Sequence, residues 1–336
     1  MELVSLNELA LRLEVDPQVL VSVGMTANVM ASTADTRTVP LAKVPELLAA
    51  FRTAHARPHE GWDVPEWLDG SDDPVWRVIA EQYREPMTRP ASLPPSQGRQ
   101  LYELILTTAP KQVVEIGSFL GLSTLWIASA LRTLGAGRVH AVDPFGPRLP
   151  FAKTHCGCVV DSAAFVTAAA ARAGIGHIVA LEPMRSQLFA QQLRARQARD
   201  VDFLFIDGNH SVGGCLDDFV SYYPHVRRGG HILLHDIHPA RCGWLGPRFL
   251  LDHFLIGNPQ FEVREIVTEP DYGMAIITKL TDRTSLSGLE RLKAAMRVYP
   301  HRAVQTFVNN GLLRRVLKPL LNDRKLKRAK AATGSV

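Results

Sequence analysis

Two short segments place carboxylates and imidazoles directly after apolar runs. In VDFLFIDGNH the apolar run is followed by Asp207 and, three residues later, His210, and GGHILLHD ends in His235 and Asp236. Carboxylate oxygens are hard ligands that suit Mg²⁺, so Asp207 and Asp236 form a candidate metal site whose ion would lower the pKa of a substrate hydroxyl. His210 is placed to remove the proton from that hydroxyl as a general base. The chemistry that these segments favour is metal-assisted activation of a hydroxyl.

A glycine-containing loop lies earlier in the chain. In VVEIGSFLGLST a strand is predicted to end at residues 115–116 and a helix to begin near residues 122–123. Between them Gly117 supplies a tight turn, and Gly121 lets the backbone come close to a ligand or to a packed element. The loop lacks the Lys-Ser/Thr pair of a phosphate loop and the G-x-G-x-x-G spacing. These absences disfavour a nucleoside triphosphate and weaken the case for a dinucleotide.

An acidic residue ends the next predicted strand. RVHAVDP places Asp143 28 residues after Glu115. A carboxylate at the carboxyl end of the second strand is positioned to accept hydrogen bonds from a ribose diol. Together with the glycine turn it indicates a nucleoside-binding site, and without a dinucleotide fingerprint S-adenosylmethionine is favoured over NAD.

The elements that must position these residues lie between residues 96 and 280. Apolar runs alternate there with helical stretches, and the runs are QVVEIG, RVHAVDP, HIVALEP, VDFLFID, GHILLHD and YGMAIITK. This alternation predicts an α/β fold with a doubly wound, mostly parallel sheet. The carboxyl ends of parallel strands meet at one edge of a sheet, so the strand-end residues should converge. Residues 1–95 are predicted as a helical module for dimerisation or for covering the active site, and residues 281–336 as a basic helical extension.

Over residues 96–280 these motifs resemble the class I S-adenosylmethionine-dependent methyltransferases. VVEIGSFLGLST is similar to their first motif and AVDP to their second. The resemblance implies that Asp143 binds the ribose hydroxyls. It places the adenine-side loop near EPMRSQ, which makes Arg185 and Ser186 candidate contacts. The cofactor-binding residues that it implies in the first loop are Glu115, Gly117, Ser118, Gly121 and Ser123.

The order IDGNH…HD resembles one branch of these enzymes more closely. Its pattern is I-D-G-D-H-S-Y-x-G…G-G-x-h-x-x-H-D, and the branch is related to the divalent-metal-dependent catechol and macrolide-sugar O-methyltransferases. The implied reaction is an in-line methyl transfer to a hydroxyl of a sugar, glycoside or other secondary metabolite, which needs positioning and a base. The chain departs from the pattern at Asn209, which replaces the usual acid, and at Val212 and Gly213, which replace Tyr and Glu. His235 stands where the macrolide-sugar enzymes have an acid, so the metal site predicted here has fewer carboxylates.

Two other functions remain open at this point. An N-methyltransferase acting on a small amine would need neither the metal nor the base. A catalytically silent methyltransferase fold, used as a scaffold or regulatory protein, would explain the departures from the pattern. The roles of His235 and His238 also remain open, since either is equally well a structural histidine. The segment HCGC at residues 155–158 does not predict a zinc site, because it lacks a second pair at metal-ligand spacing.

The composition is that of an ordinary globular protein. Of 336 residues, 46% are hydrophobic and 21% charged, and no stretch of about 18 uncharged apolar residues predicts a membrane span. The first residues carry acids and no basic segment before an apolar core, so no signal peptide is predicted. Four scattered cysteines do not form the pattern of a disulfide framework. A cytoplasmic protein is expected.

The net charge of +5 is unevenly distributed. Residues 281–336 contain 13 Lys and Arg against 3 Asp and Glu, whereas the preceding residues contain 25 against 30. The basic tail favours at most a weak contact with an anionic surface. Specific DNA binding is not expected, because residues 16–31 of the helix-turn-helix-like N-terminus contain no Lys or Arg. The expected partners are a small hydroxylated substrate and further copies of the chain in a homo-oligomer.

Overall fold

A computed structural model describes residues 2–13, 15–29, 38–54, 61–89, 91–149, 157–267 and 271–283. The basic helical extension predicted from residue 281 onward lies almost entirely outside the described residues, as do His155 and Cys156 of the HCGC segment. Within the described ranges, no helix combines the length and the apolar character needed to cross a membrane.

The N-terminal residues 3–51 pack around a core of their own. The predicted helices are present, and Asp16 caps the second of them by accepting a hydrogen bond from the backbone N–H of Gln18. Two short antiparallel strands, which were not predicted, accompany them. The elements are β1 (Leu3–Ser5), α1 (Leu6–Leu13), α2 (Pro17–Thr26), β2 (Thr38–Pro40) and α3 (Val44–Ala54).

The four helices that follow in the chain pack against the central sheet and share its hydrophobic core. Trp76 and Tyr102 lie against Trp126 in edge-to-face contacts, with ring centroids 5.5 and 6.3 Å away. This aromatic cluster joins the residues before the sheet to its first crossover helix. The helices are α4 (Glu66–Asp69), α5 (Pro74–Tyr83), α6 (Pro95–Thr108) and α7 (Leu122–Leu134).

A seven-stranded sheet forms the centre of the molecule, with strand order β5-β4-β3-β6-β7-β9-β8. The first five strands in this order are parallel, and β9 runs antiparallel to both of its neighbours. The predicted doubly wound, mostly parallel α/β sheet is therefore confirmed. The strands are β3 (Gln112–Ile116), β4 (Arg138–Asp143), β5 (Val179–Pro183), β6 (Val201–Ile206), β7 (Val226–His235), β8 (Phe261–Ile266) and β9 (Met274–Lys279).

Crossover helices cover both faces of the sheet. Polar caps begin two of them: Asp161 accepts from the backbone N–H of Ala164, and Ser211 from that of Gly214. The helices are α8 (Ser162–Arg172), α9 (Ser186–Ala195), α10 (Val212–Tyr222), α11 (Pro239–Cys242) and α12 (Gly246–Leu250). Short 3-10 turns occupy Leu41–Lys43, Pro86–Thr88 and Tyr223–His225, and a π-helical turn occupies Leu251–Leu255.

Strand β8 was missed in the sequence because it differs from the other strands. Its residues, FEVREI, alternate apolar and charged side chains instead of forming a continuous apolar run. Such alternation is typical of a strand that exposes one face, and β8 lies at the edge of the sheet. The strand order reverses between β3 and β6, and the crevice outside the carboxyl ends at such a point is where open α/β sheets bind ligands.

Candidate active site

A solvent-open cleft lies at this carboxyl edge. It is formed by the segment before α6, by the loops after β3, β6 and β7, and by Tyr272, which lies shortly before β9. Its lining residues are Ala91, Ser92, Leu93, Gly117, Ser118, Phe119, Ser123, Asp207, His210, His235, Asp236 and Tyr272. Three of the four segments that the sequence singled out therefore meet in the lining, and Asp143, from the fourth, accepts a hydrogen bond from the backbone of the lining residue Phe119.

The two glycines of the first loop each allow a close contact, but with different parts of the structure. Gly117 has a φ of +88°, and a Cβ there would lie 2.3 Å from the carbonyl oxygen of Asp207. It thus lets the loop after β3 lie against the loop after β6. Gly121 has a φ of +80°, and its Cβ would lie 2.7 Å from Cγ1 of Val166 on α8. Of the two uses expected for Gly121, the structure provides the close approach of a packed element.

Glu115 is fully buried beneath this loop. One carboxylate oxygen, Oε2, accepts a hydrogen bond from Thr124, whose hydroxyl lies 2.6 Å from that of Ser118. The other, Oε1, has no hydrogen-bond partner. Burial raises the pKa of Glu115 to about 7, against the lowering effect of the nearby Ser123 and Thr124 hydroxyls. A buried acceptor without a donor suits a cationic ligand group such as the α-ammonium of S-adenosylmethionine.

Asp143 is held by three donors. Its Oδ2 accepts from the backbone N–H of Phe119 at 3.0 Å, and its Oδ1 from that of Phe145 at 2.7 Å. The guanidinium of Arg148 also donates to Oδ1 and lies 5.0 Å from the centre of the Phe119 ring. No sequence pattern pointed to Arg148, because its contact with Asp143 depends on the loop after β4 folding back.

The two adenine-side candidates lie outside the cleft lining. Arg185 is the residue before α9 and makes no side-chain cap. Ser186 donates a hydrogen bond to Oδ1 of Asp218 at 2.6 Å, and its carbonyl accepts one from Tyr222. Burial raises the pKa of Asp218 to about 6. A Cβ on Gly208 would lie 3.6 Å from Oδ2 of Asp218, so Asp218 lies beside the loop after β6.

Four ionisable residues converge in the cleft. His210 Nε2 lies 3.0 Å from Asp207 Oδ1 and 3.4 Å from Asp236 Oδ2. His235 Nδ1 lies 3.0 Å from Asp207 Oδ1 and 3.1 Å from Asp236 Oδ1. The ligand atoms of the four residues all lie within 4.8 Å of one another. The sequence paired only the two carboxylates as ligands, and the structure brings both imidazoles to the same point.

The cluster is strongly coupled by charge. Burial alone would raise the pKa of Asp207, but the neighbouring imidazoles outweigh it and hold the pKa well below its usual range. Burial would lower the pKa of His235, and Asp207 instead raises it to about 9. Asp207 and Asp236 likewise raise the pKa of His210 against its burial. Burial raises the pKa of Asp236.

Asp236 is the least satisfied member of the cluster. Its side chain is buried, its backbone φ of +60° is unusual for a residue other than glycine, and Oδ1 accepts no hydrogen bond. The nearby Nδ1 of His235 forms its hydrogen bond to Asp207 instead. An orphaned carboxylate oxygen beside further oxygen and nitrogen donors fits a divalent metal ion.

His235 is fixed from two sides. Its Nε2 lies 2.7 Å from Oε1 of Gln97, a buried residue in the first turn of α6, and its ring contacts Phe205 edge-on. Gln97 was missed because a single glutamine near a helix start has no distinguishing sequence pattern. His238, the other histidine of unknown role, lies apart from the cluster, with its ring against Gly273.

The segment after Asp236 covers one side of the cluster. Trp244 stacks on His210 with ring centroids 6.0 Å apart, and 46% of its surface is exposed. Gly246 donates its backbone N–H to the carbonyl of His210, and a Cβ at this position would lie 2.4 Å from that oxygen. The start of α12 therefore fixes the position of the loop that carries His210.

Residues 114–237 match the model of a family described as a methyltransferase domain. The matched segment runs from β3 to the residue after Asp236, so it contains the glycine loop, Asp143 and the four-residue cluster. Residues 114–237 therefore form a methyltransferase domain, and for this segment the resemblance to S-adenosylmethionine-dependent methyltransferases expected from the sequence is confirmed.

Solved structures similar to this chain include three methyltransferases. The O-methyltransferase TomG from Streptomyces achromogenes, involved in tomaymycin synthesis, has 20% identity over 63% of this chain and 91% of its own, with a TM-score of 0.47. An O-methyltransferase from Bacillus cereus has 17% identity over 64% and 96%, with a TM-score of 0.48. A methyltransferase from Geobacter sulfurreducens has 20% identity over 64% and 94%, with a TM-score of 0.46.

Proposed function

We propose that the protein is an O-methyltransferase that transfers the methyl group of S-adenosylmethionine to a hydroxyl of a sugar, a glycoside or another secondary metabolite. The observation that carries the proposal is the convergence of Asp207, His210 and Asp236 beside the glycine loop. A methyl transfer to nitrogen would need neither a metal site nor a base, so a cluster whose residues suit both roles favours the transfer to oxygen.

The cofactor residues are assigned by their chemistry. The unpartnered Oε1 of Glu115 lacks a donor that the cofactor's α-ammonium would supply, and Gly117, Ser118 and Ser123 line the cleft. Asp143 remains the candidate for the ribose hydroxyls. When bound, S-adenosylmethionine supplies a sulfonium whose methyl carbon is the electrophile.

The metal residues are Asp207 and Asp236, whose carboxylates suit Mg²⁺ as expected from the sequence. A bound divalent ion would lower the pKa of the substrate hydroxyl. The ion would be a partner for the unsatisfied Oδ1 of Asp236, and Asp207 would keep its hydrogen bond to His210.

His210 is the proposed base. It lies at the side of the cleft, in contact with the exposed Trp244, and Asp207 holds one ring nitrogen. The acceptor hydroxyl gives its proton to His210 while its oxygen forms the new bond to the methyl carbon. The carbon–sulfur bond breaks at the same time, and S-adenosylhomocysteine leaves. The exposed face of Trp244 suits a substrate with a flat or weakly polar face.

The first experiment is a calorimetric titration with S-adenosylhomocysteine, with and without Mg²⁺. Wild type is expected to bind in the micromolar range and Asp143→Ala to bind at least about 10-fold more weakly, because it loses the ribose acceptor. Asp161→Ala, which removes a surface helix cap, is the matched control and should bind normally. Absence of binding to the wild type would overturn the proposal.

The second experiment tests the transfer itself. Hydroxylated glycosides are screened with methyl-labelled S-adenosylmethionine, and products are identified by mass. His210→Ala should keep S-adenosylhomocysteine affinity and lose transfer by about 100-fold or more. If the enzyme instead methylates amines in the presence of a metal chelator, and His210→Ala does not reduce this activity, the reaction is N-methylation. The homo-oligomer expected from the sequence remains a prediction for sedimentation analysis.

A further inference from the structure

The imidazole of His235 has a fixed direction within the cluster. Its Nε2 lies 2.7 Å from the side-chain oxygen of Gln97, so this nitrogen carries a hydrogen and donates it. The opposite nitrogen, Nδ1, faces Asp207 and Asp236 at 3.0 and 3.1 Å. Without a metal it donates a hydrogen bond to Asp207, and a metal ion bound to Nδ1 would displace this proton to solvent. The edge-on ring of Phe205 and the burial of His235, which is 4% exposed, support the ring in this orientation.

This arrangement is typical of a metal-ligating histidine. Such a histidine donates its second ring N–H to a carbonyl or carboxylate, which fixes the tautomer and directs the free nitrogen at the metal. Independent evidence for a ligand at this point is the buried Oδ1 of Asp236, which has no hydrogen-bond donor and lies on the same side as Nδ1.

The two histidines of the cluster differ in position. The side chain of His210 is 17% exposed against 5% for His235, and it stacks on the exposed Trp244, so His210 is the histidine that a substrate hydroxyl can reach. His235 is buried and held through both ring nitrogens. A base must reach the substrate, whereas a ligand must be rigid. The geometry therefore separates the roles, with His210 as the base and His235 as a ligand.

We propose that His235 Nδ1 is a third protein ligand beside Asp207 and Asp236, that Gln97 positions it, and that the site consequently prefers a divalent first-row transition ion to Mg²⁺. Imidazole nitrogen suits ions such as Co²⁺ and Zn²⁺, whereas Mg²⁺ prefers oxygen ligands throughout. Three protein ligands leave positions open for a substrate oxygen. The inference rests on the metal-assisted function proposed above and replaces its choice of ion.

Metal binding alone tests the inference, without substrate or turnover. Metal-free full-length protein is titrated separately with Co²⁺ and Mg²⁺ by calorimetry, and the visible absorption of bound Co²⁺ reports nitrogen ligation. Wild type is expected to bind Co²⁺ at least about 10-fold more tightly than Mg²⁺. His235→Ala should remove this preference and change the Co²⁺ spectrum. Equal affinities for the two ions, or no binding of either, would overturn the inference.

The role of Gln97 is tested by removing its oxygen. Gln97→Met should weaken Co²⁺ binding about 10- to 100-fold and leave Mg²⁺ binding within about 2-fold, since only the nitrogen ligand is disturbed. Gln97→Glu keeps an acceptor at this place and should restore Co²⁺ binding. Gln82→Met is the matched control, because Gln82 is equally buried, on α5, and makes no hydrogen bond to the cluster.

The results separate this inference from the proposed function. Loss of Co²⁺ and Mg²⁺ binding to the same extent in Gln97→Met, with normal thermal unfolding, would show that Gln97 does not act through His235 and would overturn its role. S-adenosylhomocysteine is titrated against the same metal-free proteins. If it fails to bind while Co²⁺ binds as expected, the proposed function falls and the metal assignment stands.

Discussion

Arg148 donates a hydrogen bond to Asp143 at the carboxyl end of β4, the position at which a ribose diol is expected. Two backbone N–H groups already hold the same carboxylate. A carboxylate has about four acceptor positions, so the guanidinium and the two ribose hydroxyls compete for those that remain.

Replacing Arg148 should therefore strengthen cofactor binding. In Arg148→Ala the backbone donors still orient Asp143, and the position on Oδ1 is free for a hydroxyl. We expect S-adenosylhomocysteine to bind about 2- to 10-fold more tightly by calorimetry. Arg132→Ala, which breaks a more exposed ion pair with Asp73, should leave the affinity unchanged. Weaker binding in Arg148→Ala would make the guanidinium part of the cofactor site.

Cofactor affinity should depend on pH through Glu115. Its pKa is raised to about 7 by burial, so below this pH the group is protonated and cannot pair with an ammonium. Affinity should rise as pH increases to about 7 and level off above it. Calorimetry in buffers of different ionisation enthalpy would detect the proton released on binding. In Glu115→Gln both the proton release and this pH dependence should disappear; if they persist, another group is titrating.

Gly117 should tolerate no side chain. In Gly117→Ala the Cβ meets the Asp207 carbonyl at 2.3 Å in a left-handed conformation, and we expect a loss of more than about 2 kcal/mol of unfolding free energy. Gly135→Ala is the control, because its φ of +68° is similar and no atom lies within 4 Å of the added Cβ. It should cost only about 1 kcal/mol. Equal losses by urea unfolding would show that contact with Asp207 is unimportant.

Gly246 should affect catalysis more than cofactor binding. In Gly246→Ala the Cβ pushes on the carbonyl oxygens of His210 and Ser211, at 2.4 and 2.6 Å, and displaces the proposed base. We expect methyl transfer to fall by about 10-fold or more, because a small misplacement of a reacting group is costly, with S-adenosylhomocysteine affinity unchanged. Gly243→Ala is strained by its φ of +78° and should cost about 1 kcal/mol of stability, but no atom lies near its added Cβ, so it should retain activity. A parallel loss in both variants would point to the segment as a whole.

The central sheet was predictable because its strands are local patterns. QVVEI, RVHAVD and VDFLFI are largely apolar and mostly buried, and the residue at or directly after the end of each strand is placed at the site edge by topology alone. Strand β8 was not predicted, since its alternating residues also fit a loop or a helix.

The partners within the site were less predictable, because they depend on contacts between distant segments. Gln97 matters only because α6 lies beside the end of β7, and Arg148 only because the loop after β4 returns to Asp143. His235 was left without a role for the same reason: its identity is visible in the sequence, but the direction of its two nitrogens is not.

The hydrogen bond between Gln97 and His235 joins residues 138 positions apart. During synthesis on the ribosome the strands β3 to β6 emerge before His235, so the glycine loop can fold while the cluster is still incomplete. The catalytic centre is then assembled late, when β7 adds to the sheet and meets a helix made much earlier. A nascent chain stalled before β7 should already have folded strands β3 to β6 and yet lack the complete four-residue cluster.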